Sequence, residues 1–413
     1  MGNPLVLLVA YHFPPDNAIG GARPYRFYKY LKRLGYECHV LTASVQEKDG
    51  GTGGVAEIEY IPDPLRVQPR SGIAWQAERI GWKFFLRSEI ALGWSAGVFR
   101  AGKAFLNSRR DSGDVTILSS APPLGTHLAA MRLAAISGCP WIADFRDPIH
   151  SPNGEHAVFQ KAFGPAIEGW VLNKADSILA NTDAMHGVWS ARYPGLGGKL
   201  HMLWNGYDSE DAVDTYSILA RKRKVLSHVG ELYGGRDIRP ILHAASLLLK
   251  SGRLAAGTIA ICQTGVAEAS ELPEPAFLEA AQRDGWLELR LAVPRKEART
   301  IALESDGLLL IQPHTAVQVP GKLFEYLRMG RPIFAYVVRD SPVERILARA
   351  GVPYECVYPE HSTEEMALKL LSFLQNLTGV PASPSAWFEE TFEASRQIET
   401  LDVLARSLHS GSV

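Results

Sequence analysis

Short apolar runs of strand length alternate with amphipathic helical patterns along most of the chain. In the first helical pattern, Phe27, Tyr30, Leu31 and Leu34 recur at i, i+3, i+4 and i+7, which places them on one face of a helix. This alternation is typical of βαβ units, in which parallel strands form a sheet and helices cover its faces. The pattern therefore predicts an α/β fold.

Two series of strands are predicted. The first series is 5–11, 37–42, 115–120, 141–144, 177–181 and 199–204. The second series is 225–229, 258–264, 287–292, 307–311, 332–337 and 353–357. The polar, turn-rich stretch 205–216 separates them as a hinge. With 413 residues, 46% of them hydrophobic, the chain can bury two cores. We therefore predict two Rossmann-like parallel-sheet domains, 1–207 and 208–385, followed by a helical tail, 386–413.

Composition excludes several other classes of protein. A net charge of −1 argues against nucleic acid as a partner. The four cysteines are far apart, without disulfide or zinc-ligand spacing, and indicate buried thiols in a reducing compartment. No signal-peptide pattern is present, and no apolar run approaches the roughly 20 residues of a membrane span. These features predict a cytoplasmic protein.

Residues 66–110 form a basic, aromatic segment. They contain nine Lys and Arg residues against two Glu, and nine minus two gives an excess of seven positive charges. Aromatic and basic residues mixed on helices suit an anionic membrane surface or a lipid-linked acceptor. Alternatively, the aromatic side chains pack inward and the charges form a solvated face. The first interpretation predicts a peripheral contact with the inner face of the membrane.

The stretch 320–333 sets a cation and a carboxylate at the start of one predicted helix. Lys322 and Glu325 are three residues apart and share a helix face. A diphosphate prefers the positive end of a helix plus a lysine, and a ribose diol prefers a carboxylate that accepts two hydrogen bonds. The alternative is an ordinary surface ion pair between the two side chains.

Two glycine pairs follow strands and open helices in the two halves of the chain. The pairs Gly20-Gly21 and Gly234-Gly235 allow backbone amides to approach a phosphate closely. Each pair alone indicates only a tight turn, but together they suit a cleft that holds a diphosphate. No Asp-x-Asp metal motif is present. We expect Arg236 and Lys322 to supply the charge stabilisation that a metal would otherwise give, and we expect no metal or cofactor.

Polar residues follow the predicted strand 141–144. Asp144 and Asp147 are candidates to orient an acceptor hydroxyl, with Arg146 beside them. A salt bridge from Arg146 that closes the strand end is the alternative. His314 follows the strand 307–311 and is either a donor-site residue or a loop histidine.

The segment 320–332 resembles the P-x-K-x-x-E-Y-x-x-x-G-x-P wording of the donor-site helix in family-4 retaining glycosyltransferases of the GT-B fold. Further matches in family order are 12–15, 20–21, 144–148, 205–208 and 229–236. The resemblance implies two domains facing each other across a cleft, with the tail 386–413 crossing back to the first domain. It also implies that a nucleotide sugar gives a hexose unit, with retention, to a hydroxyl of a glycan, lipid-linked or small-molecule acceptor.

The resemblance also implies roles for individual residues. Arg236 and Lys322 would stabilise the leaving phosphate, with Asp147 as a further catalytic candidate, and Glu325 would hold the ribose. The remaining donor-binding candidates are Gly20, Gly21, Gly235, His314, Gly321 and Leu323. The acceptor side would include Asp144 and Arg146.

Two positions depart from the family pattern. Val317 stands eight residues before Glu325, where the family has the first of two glutamates, and Glu231 replaces a common arginine. These departures indicate either a sub-branch with a different donor geometry or a noncatalytic GT-B module that binds without turnover. A further alternative is an isomerase that resembles the nonhydrolysing sugar-nucleotide 2-epimerases, which share the two-domain architecture.

Overall fold

The computed structural model describes residues 3–15, 19–44, 57–64, 90–109, 114–150, 158–211, 215–218 and 221–410, with single positions at 73, 76 and 80. The chain divides into two compact units. The first consists of Met1–Asp208 with Phe392–Val413, and the second of Ser209–Thr391. Much of the basic, aromatic segment 66–110 lies outside the described residues, so its membrane contact stays a prediction.

The first unit is built on a seven-stranded sheet with the order β3-β2-β1-β4-β5-β6-β7. Its strands are β1 Leu5–Ala10, β2 Glu37–Ser44, β3 Ile58–Pro62, β4 Val115–Ala121, β5 Trp141–Phe145, β6 Ser177–Ala180 and β7 Leu200–Met202. All neighbouring pairs are parallel. Alternate residues of β1 enter two different hydrophobic clusters, one on each face of the sheet. Burial on both faces explains why β1 is an unbroken apolar run.

The helices of this sheet are α1 Ala22–Arg33, α2 Leu92–Ser108, α3 Leu124–Ser137, α4 Val158–Lys174 and α5 Asp183–Arg192. Helix α1 buries Phe27, Tyr30 and Leu31, as its periodicity predicts, whereas Leu34 follows the last residue of the helix and is exposed. In α2, Trp94 is fully buried and its ring meets Tyr11 edge-on, 4.9 Å between centroids. This aromatic residue of the segment 66–110 therefore packs inward.

The second unit contains a six-stranded parallel sheet with the order β10-β9-β8-β11-β12-β13. Its strands are β8 Lys224–Val229, β9 Ile259–Thr264, β10 Leu287–Arg290, β11 Gly307–Gln312, β12 Ile333–Val337 and β13 Tyr354–Val357. Its helices are α6 Arg239–Lys250, α7 Pro275–Arg283, α8 Arg295–Leu303, α9 Gly321–Met329, α10 Pro342–Arg349 and α11 Thr363–Gln375. The strand order reverses at β8 and β11, where binding sites of such sheets form beyond the carboxyl ends.

The C-terminal segment forms two helices, α12 Ala386–Phe392 and α13 Ala394–Ser410. The sequence predicts one helical segment here, but the backbone between the two helices pairs with Tyr207 instead. The Tyr207 amide donates to the Phe392 carbonyl at 3.0 Å, and the Ala394 amide donates to the Tyr207 carbonyl at 2.9 Å. Gly206 permits this approach, because a Cβ there would collide with the Phe392 carbonyl.

The predicted α/β class with two parallel sheets is confirmed. All twelve predicted strands are present, with ends that differ by a few residues. The prediction missed β3, an edge strand in which only Ile61 is buried. A strand that buries one side chain has no apolar run by which the sequence would identify it.

Candidate functional site

The candidate site in the second unit lies beyond the carboxyl ends of β8, β9 and β11. The turn 230–236 follows β8, Gly265 follows β9, and residues 313–320 lead from β11 into α9. The carboxyl ends of parallel strands meet at one edge of the sheet. Two of these turns approach closely, since a Cβ on Gly265 would lie 2.6 Å from the Gly230 carbonyl oxygen. Their positive φ angles, 128° at Gly265 and 135° at Gly230, favour glycine at both positions.

Lys322 projects from the first turn of α9 towards this edge. Its Nζ lies 2.9 Å from Nε2 of His228, a fully buried residue of β8. Gly230 makes room for the amine, because a Cβ at position 230 would collide with the lysine Nζ. The amine of Lys322 therefore occupies the space that a side chain at position 230 would fill.

The surroundings of Lys322 disfavour its charged form. Burial, and to a smaller extent the charge of Arg236, lower its pKa to about 7, against the opposing effect of Glu231 and Glu325. An anion between the two cations would relieve their repulsion and raise this pKa again. The arrangement suits a negatively charged ligand.

This lowered pKa predicts that the free energy of unfolding rises with pH between about 7, the folded-state pKa of Lys322, and its ordinary value of 10.5. In this interval the unfolded lysine keeps a proton that the folded lysine has lost. The penalty for burying the cation is complete below the folded-state pKa and disappears as the pH rises to the unfolded one. In this interval Lys322 should add up to about 1.4 kcal/mol per pH unit to the slope of the unfolding free energy against pH. This contribution is measured as the difference in slope between wild type and Lys322→Met.

The matched control for this titration is Lys296→Met, at an exposed position of α8. Denaturant unfolding at several pH values should give Lys296→Met the same pH slope as wild type. Equal slopes in wild type and Lys322→Met would contradict the buried, weakened lysine.

Arg236 ends the turn after β8. Its guanidinium lies over the Tyr233 ring, 4.3 Å from the centroid, and its Nε is 3.4 Å from Gln312 Oε1 at the end of β11. Gly235, with φ of 92°, lies close to the loop 313–320, since a Cβ there would lie 2.8 Å from the Cβ of His314. The structure therefore brings the predicted donor residues of these two loops together.

The amide of Gly235 already has a partner in the protein. It donates to Glu271 Oε1 at 3.0 Å, and Glu271 is buried. The sequence suggested instead that this amide approaches a phosphate. Binding through Gly235 stays a prediction that requires a change of this hydrogen bond.

Glu325 lies one turn after Lys322 on α9. It pairs with Arg295 of α8, whose Nη2 is 2.8 Å from Glu325 Oε1. A surface ion pair therefore forms, but its partner is Arg295, while Lys322 contacts His228. The ribose-binding role of Glu325 stays a prediction.

The other residues of the α9 motif differ in exposure. Leu323 is fully buried and offers no surface to a ligand in this structure, so its donor-binding role stays a prediction. Gly321 is exposed, with no heavy atom within 4 Å of the position of a Cβ. Val317, which stands where the family-4 pattern has a glutamate, is buried. The loop thus encloses an apolar side chain at this position.

In the first unit, Arg146 joins three segments at the carboxyl edge of the sheet. Its guanidinium donates to the carbonyls of Gly20, Ala121 and Pro122. A Cβ on Gly20 would lie 2.5 Å from Arg146 Nη1, which explains the glycine. A Cβ on Gly21 would make ordinary contact with Phe13. Gly20 is thus explained here by close packing against Arg146, and a donor role for either glycine stays a prediction.

Asp144 is fully buried in β5 and pairs with Arg23 of α1. Nε and Nη2 of Arg23 lie 3.0 and 2.7 Å from Asp144 Oδ1, and Ser120 Oγ donates to Oδ2 at 2.7 Å. A strand-end salt bridge therefore exists, with Arg23 rather than Arg146 as its cation. With no exposed surface, Asp144 has no contact to offer an acceptor in this structure. Asp147 is partly exposed, and its charge partly offsets the lowering of the Arg146 pKa by burial.

Three solved structures match the architecture of both units. Sucrose-phosphate synthase from Thermosynechococcus elongatus is 10% identical to this chain, with a TM-score of 0.68 over 99% of this chain and 100% of that one. An alpha,alpha-trehalose 6-phosphate synthase from Burkholderia multivorans is 12% identical, with a TM-score of 0.63 over 100% and 98%. The chain has the GT-B fold.

A third GT-B match is HepE of Anabaena in complex with UDP-glucose, which is 12% identical, with a TM-score of 0.54 over 97% of this chain and 99% of that one. No protein-family model and no curated protein matches the sequence. Among the described residues of this GT-B chain, no group of three or more His, Cys, Asp or Glu side chains is placed to hold a metal ion. No helix of the described part is long and apolar enough to cross a membrane.

The sequence did not single out His228, Gln263 or Gly265 as site residues. A histidine and a glutamine inside apolar strands look like ordinary core residues. Their pairing becomes visible only in the sheet register, where His228 lies directly opposite Gln263. Gly265, at the end of a predicted strand, was the one available signal.

Proposed function

We propose that this chain is a nucleotide-sugar-dependent glycosyltransferase resembling family 4, and that the second unit binds the donor. The observation that carries the proposal is the partly buried Lys322 at the start of α9, whose pKa falls to about 7 beside Arg236. A folded protein that holds two mutually repelling cations gains stability when a dianion binds to both of them. The diphosphate of a nucleotide sugar has this charge.

The chemistry follows from the charge that develops during transfer. When the bond from the sugar to the diphosphate breaks, negative charge grows on the leaving oxygen. Lys322 and Arg236 would stabilise that charge, together with the positive end of α9, without a metal ion. Glu325 would exchange its partner Arg295 for the ribose hydroxyls. The acceptor would be a hydroxyl of a glycan, a lipid-linked sugar or a small molecule, and the configuration of a hexose-type donor would be retained.

The comparisons support this proposal at the level of fold. The HepE structure contains UDP-glucose, and the two other similar structures are a sucrose-phosphate synthase and an alpha,alpha-trehalose 6-phosphate synthase. At identities of 10 to 12% these relatives leave the base, sugar and acceptor to experiment.

The test is thermal unfolding with UDP-glucose, GDP-mannose, ADP-glucose and TDP-glucose, each with and without EDTA. A ligand that binds only the folded state stabilises it by about 2.7 kcal/mol at 100 times its dissociation constant. We expect one base to raise the melting temperature, with EDTA making no difference, and we expect the corresponding nucleoside monophosphate to be weaker. If none of the four sugars raises the melting temperature, the proposal fails.

Product analysis then separates the remaining alternatives. Transfer to an added acceptor supports a transferase, and conversion of the donor without any acceptor supports an isomerase. Binding with neither reaction supports a noncatalytic module. Two observations favour a test of the noncatalytic module. Val317 is buried where the family-4 pattern has a glutamate, and Glu231, which replaces a common arginine, is close enough to raise the pKa of Lys322.

A further inference from the structure

A chain of hydrogen bonds runs from the turn after β8 to the amine of Lys322. Gln263 Nε2 lies 2.8 Å from the Gly230 carbonyl oxygen, and Gln263 Oε1 lies 2.6 Å from His228 Nδ1. A carbonyl oxygen only accepts hydrogen bonds, so Gln263 turns its amide group towards Gly230 and its oxygen towards His228. His228 Nδ1 therefore carries the proton.

The other ring nitrogen of His228 then presents a lone pair. Nε2 of a neutral imidazole protonated on Nδ1 can only accept, and Lys322 Nζ lies 2.9 Å away from it. An ammonium group has three donors, and His228 accepts one of them. The orientation of Lys322 is thus determined by a histidine tautomer, which is determined in turn by Gln263 and Gly230.

Burial keeps His228 in its neutral form. His228 is 0% exposed and Gln263 1% exposed, and they lie directly opposite each other in neighbouring strands. Burial, with a smaller contribution from the charges of Lys322 and Arg236, lowers the pKa of His228 well below 6.5, against the opposing effect of the hydrogen bond that His228 donates to Gln263. A protonated His228 would direct an N–H at the Lys322 ammonium.

We propose that His228 is a positioning residue for Lys322, holding its amine ready for the diphosphate of the donor, with Gln263 fixing the tautomer that this requires. The inference rests on the proposed function, because it explains how the proposed donor cation is held. Gly265 completes the arrangement, since a side chain there would displace the Gly230 carbonyl that accepts from Gln263.

The first test needs no ligand. Nitrogen-15 NMR of the imidazole rings should show His228 protonated on Nδ1 and neutral from pH 8 to pH 5. The His228→Gln variant identifies the signals of this ring. A proton on Nε2 of His228, or a titration of this ring near pH 6.5, would contradict the chain of hydrogen bonds from Gly230 to Lys322. This outcome does not depend on which ligand the protein binds.

The second test is a double-mutant cycle on the affinity for whichever of the four nucleotide sugars stabilises the wild type. His228→Phe should weaken binding by about tenfold or more, because the amine of Lys322 loses the hydrogen bond that orients it. His228→Gln keeps an acceptor near Lys322 and should recover most of this loss. In a Lys322→Met background, His228→Phe should have no further effect, whereas a merely structural role would give additive losses.

The matched control is His127→Phe, which replaces another fully buried histidine in the first unit. This variant should leave donor affinity within twofold of wild type. Additive losses in the cycle, or equal losses from His127→Phe and His228→Phe, would overturn the positioning role. If the wild type binds none of the four sugars, the proposed function is refuted, and so is the role of His228 towards a donor. The tautomer of His228 would still be established, because it is measured without a ligand.

Discussion

Lys322→Met is expected to weaken stabilisation by the donor and to lower kcat/KM by about 100-fold or more. Methionine fills a similar volume but carries no charge, so the diphosphate loses one of its two cations. Burial and the charge of Arg236 disfavour the charged form of Lys322 without an anion, so this site favours a diphosphate. Interactions with charge that develops on a leaving group are worth several kcal/mol in a water-poor site. The loss should appear mainly in kcat if Lys322 acts on the leaving group, and mainly in KM if it only binds the donor.

The control for this variant is Arg328→Met, which removes a cation from the last turn of the same helix. Its kcat/KM should stay within twofold of wild type. Unfolding curves of both variants without ligand separate loss of function from loss of fold. Turnover by Lys322→Met at the wild-type rate would refute the assignment of the donor site.

The helix α9 was predictable because its signals are local. Pro320 before the helix, Gly330 after it, and the spacing of Lys322 and Glu325 all lie within eleven residues. The structure confirms that Lys322 lies in the first turn of a helix. The sequence could not identify the partners of Lys322 and Glu325, because His228 and Arg295 come from elements far away along the chain.

The same distinction explains what was missed in the first unit. From the sequence alone, residues 144–147 form a local group in which Arg146 is the cation beside Asp144 and Asp147. The structure brings Arg23 to Asp144 across 121 positions, because β1 and β5 flank β4 and α1 follows β1. Long-range pairing of this kind depends on strand order, which periodicity does not specify.

Asp144→Asn is expected to lower the free energy of unfolding by about 3 kcal/mol, because it leaves the buried guanidinium of Arg23 without its counter-charge. Arg23 is 4% exposed and Asp144 0% exposed, so water cannot replace the lost partner. The carbonyls of Leu203 and Trp204, which also accept from Arg23, carry no net charge. Urea unfolding followed by circular dichroism measures the loss as a lower midpoint at constant slope.

The double variant Arg23→Met/Asp144→Leu distinguishes the cost of an unpaired charge from the value of the pair. Removing both charges leaves apolar groups of similar volume, so the double variant should be more stable than Asp144→Asn alone. Asp114→Asn replaces a carboxylate whose side chain is 69% exposed at the start of β4, and it should change stability by less than about 0.5 kcal/mol. If Asp144→Asn unfolds at the wild-type midpoint, the ion pair is not structural, and the carboxylate becomes available again as a candidate for the acceptor site.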